Sequence, residues 1–111
     1  MIIKKLESFT RGWFVGPFDP SIHKTNDFEV GIVIHRKGDE WPCHYHSVME
    51  INYLISGKMK IHDELIVAGD VFMLDGFEIA DPVFLTDCHV VTIKTPARMD
   101  DKYLADRPTY V

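Results

Sequence analysis

Along the middle of the chain, apolar and polar residues alternate one by one. Phe28, Val30, Ile32 and Ile34 alternate with Glu29, Gly31, Val33 and His35; Met59 and Ile61 alternate with Lys58, Lys60 and His62; Val91 and Ile93 alternate with Thr92 and Lys94. A period of two places successive side chains on opposite faces of a strand. No apolar repeat at three- and four-residue spacing persists for ten residues between Phe28 and Pro96, which excludes a helical bundle there. Turn-forming groups punctuate the strands: Lys37-Gly38-Asp39, Ser56-Gly57, His62-Asp63-Glu64, Ala68-Gly69-Asp70, Asp75-Gly76 and Thr86-Asp87. Many short strands separated in this way predict an all-β sandwich or antiparallel barrel.

The pattern changes at both ends, and one domain is expected over 1–111, with its core at about 28–96. The arm 1–27 mixes Gly12, Gly16 and Pro17 with Trp13, Phe14 and Phe18, which predicts an ordered segment draped over apolar surface. The tail 97–111 offers at most a short helix around Asp100–Arg107. Composition adds exclusions. Lys and Arg number 12 against 17 Asp and Glu, a formal charge of −5, so neither nucleic acid nor an anionic membrane surface is expected as partner. With no apolar run near the ~20 residues that span a bilayer, and charge too early for a secretory signal, a cytoplasmic location is expected. Cys43 and Cys88 are expected to be reduced thiols, because 46% hydrophobic residues can build a core without a disulfide.

One stretch concentrates the chemistry: Gly38-DEWPC-His44-Tyr45-His46-SVM-Glu50-INYLIS-Gly57. In a strand, His44 and His46 share a face about 7 Å apart, so both imidazoles can converge on one cation, while Cys43 and Tyr45 face away. Glu50, just past a turn, can return a carboxylate to the same point. Gly38 and Gly57 sit where the flanking turns need positive φ or close backbone approach.

This stretch resembles the first signature of the cupin superfamily: Gly, five residues, His-x-His, three or four residues, Glu, six residues, Gly. All five positions match with their spacings intact, an agreement expected by chance at a given start on the order of once in a million. The resemblance implies a single cupin domain, a double-stranded β-helix or jelly-roll barrel. It also implies that His44, His46 and Glu50 bind a divalent first-row metal such as Zn, Fe, Mn or Ni. The second cupin signature is degenerate. Gly69-Asp70 and the strand Val71–Leu74 match it, but Asp75-Gly76-Phe77 replaces the Pro-x-Gly turn, and Ala80 stands near the place of the third metal-binding histidine. Asp81 is one step out of parity and His89 is expected near a hairpin tip, so neither is expected to replace it. The metal would then keep open coordination positions, as a catalytic metal needs.

Around this set, Asn52 shares the face of Glu50 and, with Glu78, is expected to orient a ligand. Trp41 and Pro42 are expected to wall the barrel mouth, and His23, His35 and His62 to face solvent. Ile51, Tyr53 and Ile55 point outward, which predicts a homodimer. The functional expectation is a metal-binding cupin that acts on or binds a small polar sugar-like or hydroxy-acid metabolite. The alternatives are an Fe(II) dioxygenase with a two-His-one-carboxylate site and a non-catalytic ligand-binding or sensor protein.

Overall fold

The computed structural model describes residues 1–105. Two short 3-10 turns, Leu6–Ser8 and Thr10–Gly12, precede eleven strands among the described residues. The strands are β1 (Trp13–Gly16), β2 (His23–Lys24), β3 (Glu29–His35), β4 (His44–Tyr45), β5 (Met49–Ser56), β6 (Lys58–Ile61), β7 (Glu64–Val67), β8 (Val71–Leu74), β9 (Val83–Phe84), β10 (Cys88–Thr95) and β11 (Tyr103–Leu104). A large sheet runs β2-β1-β3-β10-β5-β8, a smaller one β7-β6-β9, and β4 pairs with β11. Single bridges, Glu40 to Val83 and His44 to Ala80, continue the smaller layer toward β4. The chain is thus all-β, with mostly antiparallel strands; β1 and β2 run parallel.

Alternation decides what faces inward. On β6, Met59 and Ile61 are buried while Lys58 is exposed. They join Leu54, Ile66, Leu74, Phe84, Cys88 and Val90 in an apolar core, with Phe72 packed against it. On β3 the inward face is the more polar one: Glu29 and Gly31 are buried and Ile34 is exposed. Antiparallel register then sets Glu29 opposite Lys94, and Lys94 opposite Glu50 on β5; one step further in, Gly31, Thr92 and Asn52 line up. One end of the interior is therefore polar and the other apolar.

Three local expectations are revised. The N-terminal arm does not merely drape, because β1 pairs with β3 and lays Trp13 on Gly31, where a Cβ would stand 2.7 Å from the indole. The expected hairpin at Thr86-Asp87 is instead a crossover, since β9 belongs to the small sheet and β10 to the large one. In the tail, the expected short helix gives way to strand β11 at Tyr103–Leu104; Asp106 and Arg107 lie outside the described residues. Gly57 carries φ +102° and a Cβ there would stand 2.2 Å from the Asp87 carbonyl, so only glycine fits that turn. Both cysteines are free and buried. Among the described residues no helix is long and apolar enough to cross a membrane.

Candidate metal and ligand site

A cavity of about 460 Å³ opens into the polar end, and His44, His46, Glu50 and Asn52 all line it. β4 presents His44, the loop after it presents His46, and β5 presents Glu50 and Asn52. Each histidine is oriented through Nδ1. That of His44 lies 2.9 Å from the Pro42 carbonyl, and that of His46 meets the Asp101 carbonyl. A carbonyl only accepts, so both rings carry the proton on Nδ1 and keep the Nε2 lone pair free, the arrangement metal-binding histidines adopt. His46 Nε2 stands 3.7 Å from a Glu50 oxygen, and the two side chains are only 11% and 16% exposed. The His44 and His46 rings meet edge to face at 5.2 Å. Burial, and then the Lys94 ammonium, push the His46 pKa below its usual value despite the Asp101 carbonyl and Glu50, which favours the neutral, lone-pair-bearing ring.

Asp101 anchors this corner from the C-terminal segment, a role the sequence reading missed. Its buried carboxylate accepts the N–H groups of Ser47 and Val48 and the Ser47 hydroxyl, while its own carbonyl orients His46. Burial alone would raise its pKa, but the Ser47 hydroxyl and the two N–H groups outweigh that and hold it low. No spacing in the sequence links residue 101 to residue 46.

The residues around the triad sort clearly. Ala80 is buried against the cavity and pairs with His44 through both backbone bonds, 3.1 and 2.7 Å, so the two Cβ atoms share a side. Asp81 lies off the cavity lining and accepts the His62 N–H at 3.2 Å. His89 sits on the outward side of β10, 2.8 Å from the Ser56 hydroxyl. Glu78, expected to orient a ligand, does not reach the cavity; its carboxylate takes the Asp75 N–H and lies 3.5 Å from His62. Trp41 lines the cavity but Pro42 does not. His35, expected in solvent, also lines the cavity, stacked on Phe84 at 4.3 Å; His62 is half-buried, and of the three only His23 is exposed. Signals for His35 were present in its parity with Glu29, Gly31 and Val33, had that face been recognised as the inner one.

As they stand, no three His, Cys, Asp or Glu side chains among the described residues are gathered closely enough to hold a metal ion. The donor chemistry nonetheless fits one. Two ligands on a cation with bonds of about 2.0–2.2 Å lie some 3–4 Å apart, which is the His46–Glu50 spacing, and both imidazoles are fixed in the ligating tautomer.

Several solved structures share this architecture. A conserved protein with a double-stranded β-helix domain from Klebsiella pneumoniae is similar over 95% of this chain and 92% of its own, with a TM-score of 0.69 and 19% identity. An RmlC-like cupin from Shewanella frigidimarina is similar over 68% and 72%, with TM-score 0.61 and 21% identity. KdgF from Halomonas sp. is similar over 68% and 76%, with TM-score 0.60 and 24% identity. No family model and no curated protein matches the chain. The two facing sheets and these likenesses define the class: this is a cupin fold, the double-stranded β-helix. Identities this low carry the fold and nothing finer.

Proposed function

We propose that His44, His46 and Glu50 hold one divalent first-row metal, and that the protein acts on or binds a small polar metabolite whose oxygens reach that metal. The observation that carries this reading is the pair of backbone carbonyls, of Pro42 and Asp101, that orient both imidazoles with Nε2 free, that of His46 beside the Glu50 carboxylate. Completing the triad takes adjustment of side chains that already line one cavity. Once bound, such a metal supplies Lewis-acid polarisation of a ligand oxygen. The chain's own residues do the rest. Asn52 offers its amide N–H to the ligand, and Ala80, at the wall, leaves one corner free of protein ligand.

That free corner favours a second reading as well. Two histidines and one carboxylate with open positions suit a non-haem Fe(II) dioxygenase. Oxygen uptake by iron-loaded protein in the presence of candidate substrates separates the two. The non-catalytic reading has less support, because Glu29, His35 and Lys94 also line the cavity and supply titratable groups beyond the ligands.

Elemental analysis of purified protein tests the metal site. We expect about one metal per chain in the wild type and background levels in His44→Ala and His46→Ala. Full occupancy in both variants sinks the reading.

A further inference from the structure

Four basic residues, Arg11, Lys94, Arg98 and Lys102, and four acidic ones, Glu29, Glu50, Asp100 and Asp101, line the cavity, but they do not all pair. The chain carries five more acidic than basic residues, yet Arg11, Lys94 and Lys102 meet here. Among the described residues, neither Arg11 nor Lys102 has a carboxylate within 4.0 Å. The carboxylates nearby are engaged elsewhere. Glu29 pairs with Lys94 at 3.8 Å, Asp101 is taken by Ser47 and Val48, and Glu50 lies against His46; Asp100, at the rim, reaches neither cation. Lys102 feels the crowding: burial and then the Lys94 and Arg11 charges push its pKa down. The chain holds it there regardless, with the ammonium 4.5 Å from the Trp41 ring centre. Arg11 is held at φ +51°, a left-handed conformation uncommon for a residue with a Cβ. Like charges brought together without a counter-ion cost free energy that an anionic ligand would relieve.

Deeper in the cavity the free polar group is again a donor. The Thr92 hydroxyl donates to Asn52 Oδ1 at 2.8 Å, which leaves the Asn52 Nδ2 protons without a partner. Asn52 is only 3% exposed, so bulk water cannot satisfy them. Guanidinium, ammonium and amide N–H all require acceptors, and so would a metal at the triad.

The geometry points to a carboxylate ligand with further oxygen acceptors, a small hydroxy- or oxo-carboxylate, bound with its carboxylate at Arg11 and Lys102 and one oxygen on Asn52 Nδ2. This deepens the metal reading above and selects the charged members of the polar metabolites it allows. Neutral sugars leave the Arg11 and Lys102 charges uncompensated.

The chain's two tryptophans, Trp13 and Trp41, both line this cavity, so selectively excited tryptophan fluorescence reports on it. Purified protein is titrated with gluconate and with sorbitol, which has the same carbon chain with a hydroxymethyl in place of the carboxylate. Metal content is measured alongside. Gluconate should bind at least tenfold tighter than sorbitol. The double variant Arg11→Gln/Lys102→Gln should lose about tenfold in gluconate affinity, about 1.4 kcal/mol, with metal content and sorbitol binding unchanged. Asn52→Leu should weaken both ligands. Equal binding of gluconate and sorbitol, no binding of either, or a double variant that keeps wild-type gluconate affinity overturns the proposal, even where metal is retained. A metal-free protein that still prefers gluconate through Arg11 and Lys102 overturns the metal reading and leaves this one standing.

Discussion

His35 is the residue whose chemistry depends most on its surroundings. Its ring stacks on Phe84, meets Trp41 edge-on at 5.5 Å, and keeps a buried Nδ1 with no hydrogen-bond partner. Burial pushes its pKa below the usual value, only partly opposed by Asp39 and Glu50. The folded chain therefore resists a proton that the unfolded chain accepts near pH ~6.5. Stability from this residue is complete above about that pH and falls as pH drops below it toward the lowered folded value, because the unfolded state then binds more protons. His35→Phe keeps the stacking and removes the unpartnered nitrogen, so it should raise stability by about 1 kcal/mol. It should also make the loss of stability between about pH 7.5 and 5.5 shallower. Urea unfolding at both pH values checks this; an unchanged slope would mean that His35 takes its proton as readily folded as unfolded.

At the scale of elements, pairing register settles which side chains meet. β4 is two residues long, yet its bridge to Ala80 places the Ala80 Cβ on the same side as that of His44. Asp81, one step on, faces His62, and His89 stands on the opposite sheet with its ring turned out to Ser56. Ala80→His should therefore place a fourth donor at the triad. Outer-shell partners alone change metal affinity by about 10–100-fold, so a new ligand should add about tenfold or more. Competition with a chromogenic chelator measures it, and Asp81→Ala and His89→Ala should stay within about twofold of wild type. If either alanine variant loses metal as His44→Ala does, the open corner is filled and the dioxygenase reading goes with it.

For the whole molecule, the outer face of the large sheet matters most. Tyr53 is 43% exposed, Ile55 43%, Val71 69% and Met73 52%. Register places Tyr53 beside Val71 and Ile51 beside Met73, so these side chains form one apolar patch that reaches the edge strand β8. A contiguous patch of this kind is what subunit contacts cover, and an isologous pairing of two copies would bury it. Light scattering should give about twice the chain mass of 12.8 kDa, and Tyr53→Glu should shift the protein toward monomer. A wild type that stays monomeric at micromolar concentration refutes the pairing.

Local signals in the sequence carried the all-β class and the placing of His44, His46 and Glu50 on one cavity. Alternation, turn residues and the spacing of His44, His46 and Glu50 act over a few residues, where strand parity alone sets direction. The same locality explains what could not be read. The alternation on β3 marks two faces but not which one is inner, and only pairing with β10 turned Glu29 and His35 toward the cavity. Glu78 looked available for a ligand until the fold set it against His62. Asp101 orienting His46, and Arg11 reaching the cavity that Lys102 also lines, join residues separated by 55 and 91 positions. Contacts at such separations arise only when sheets pack and termini dock, because no local propensity encodes which distant segment will fill a given corner.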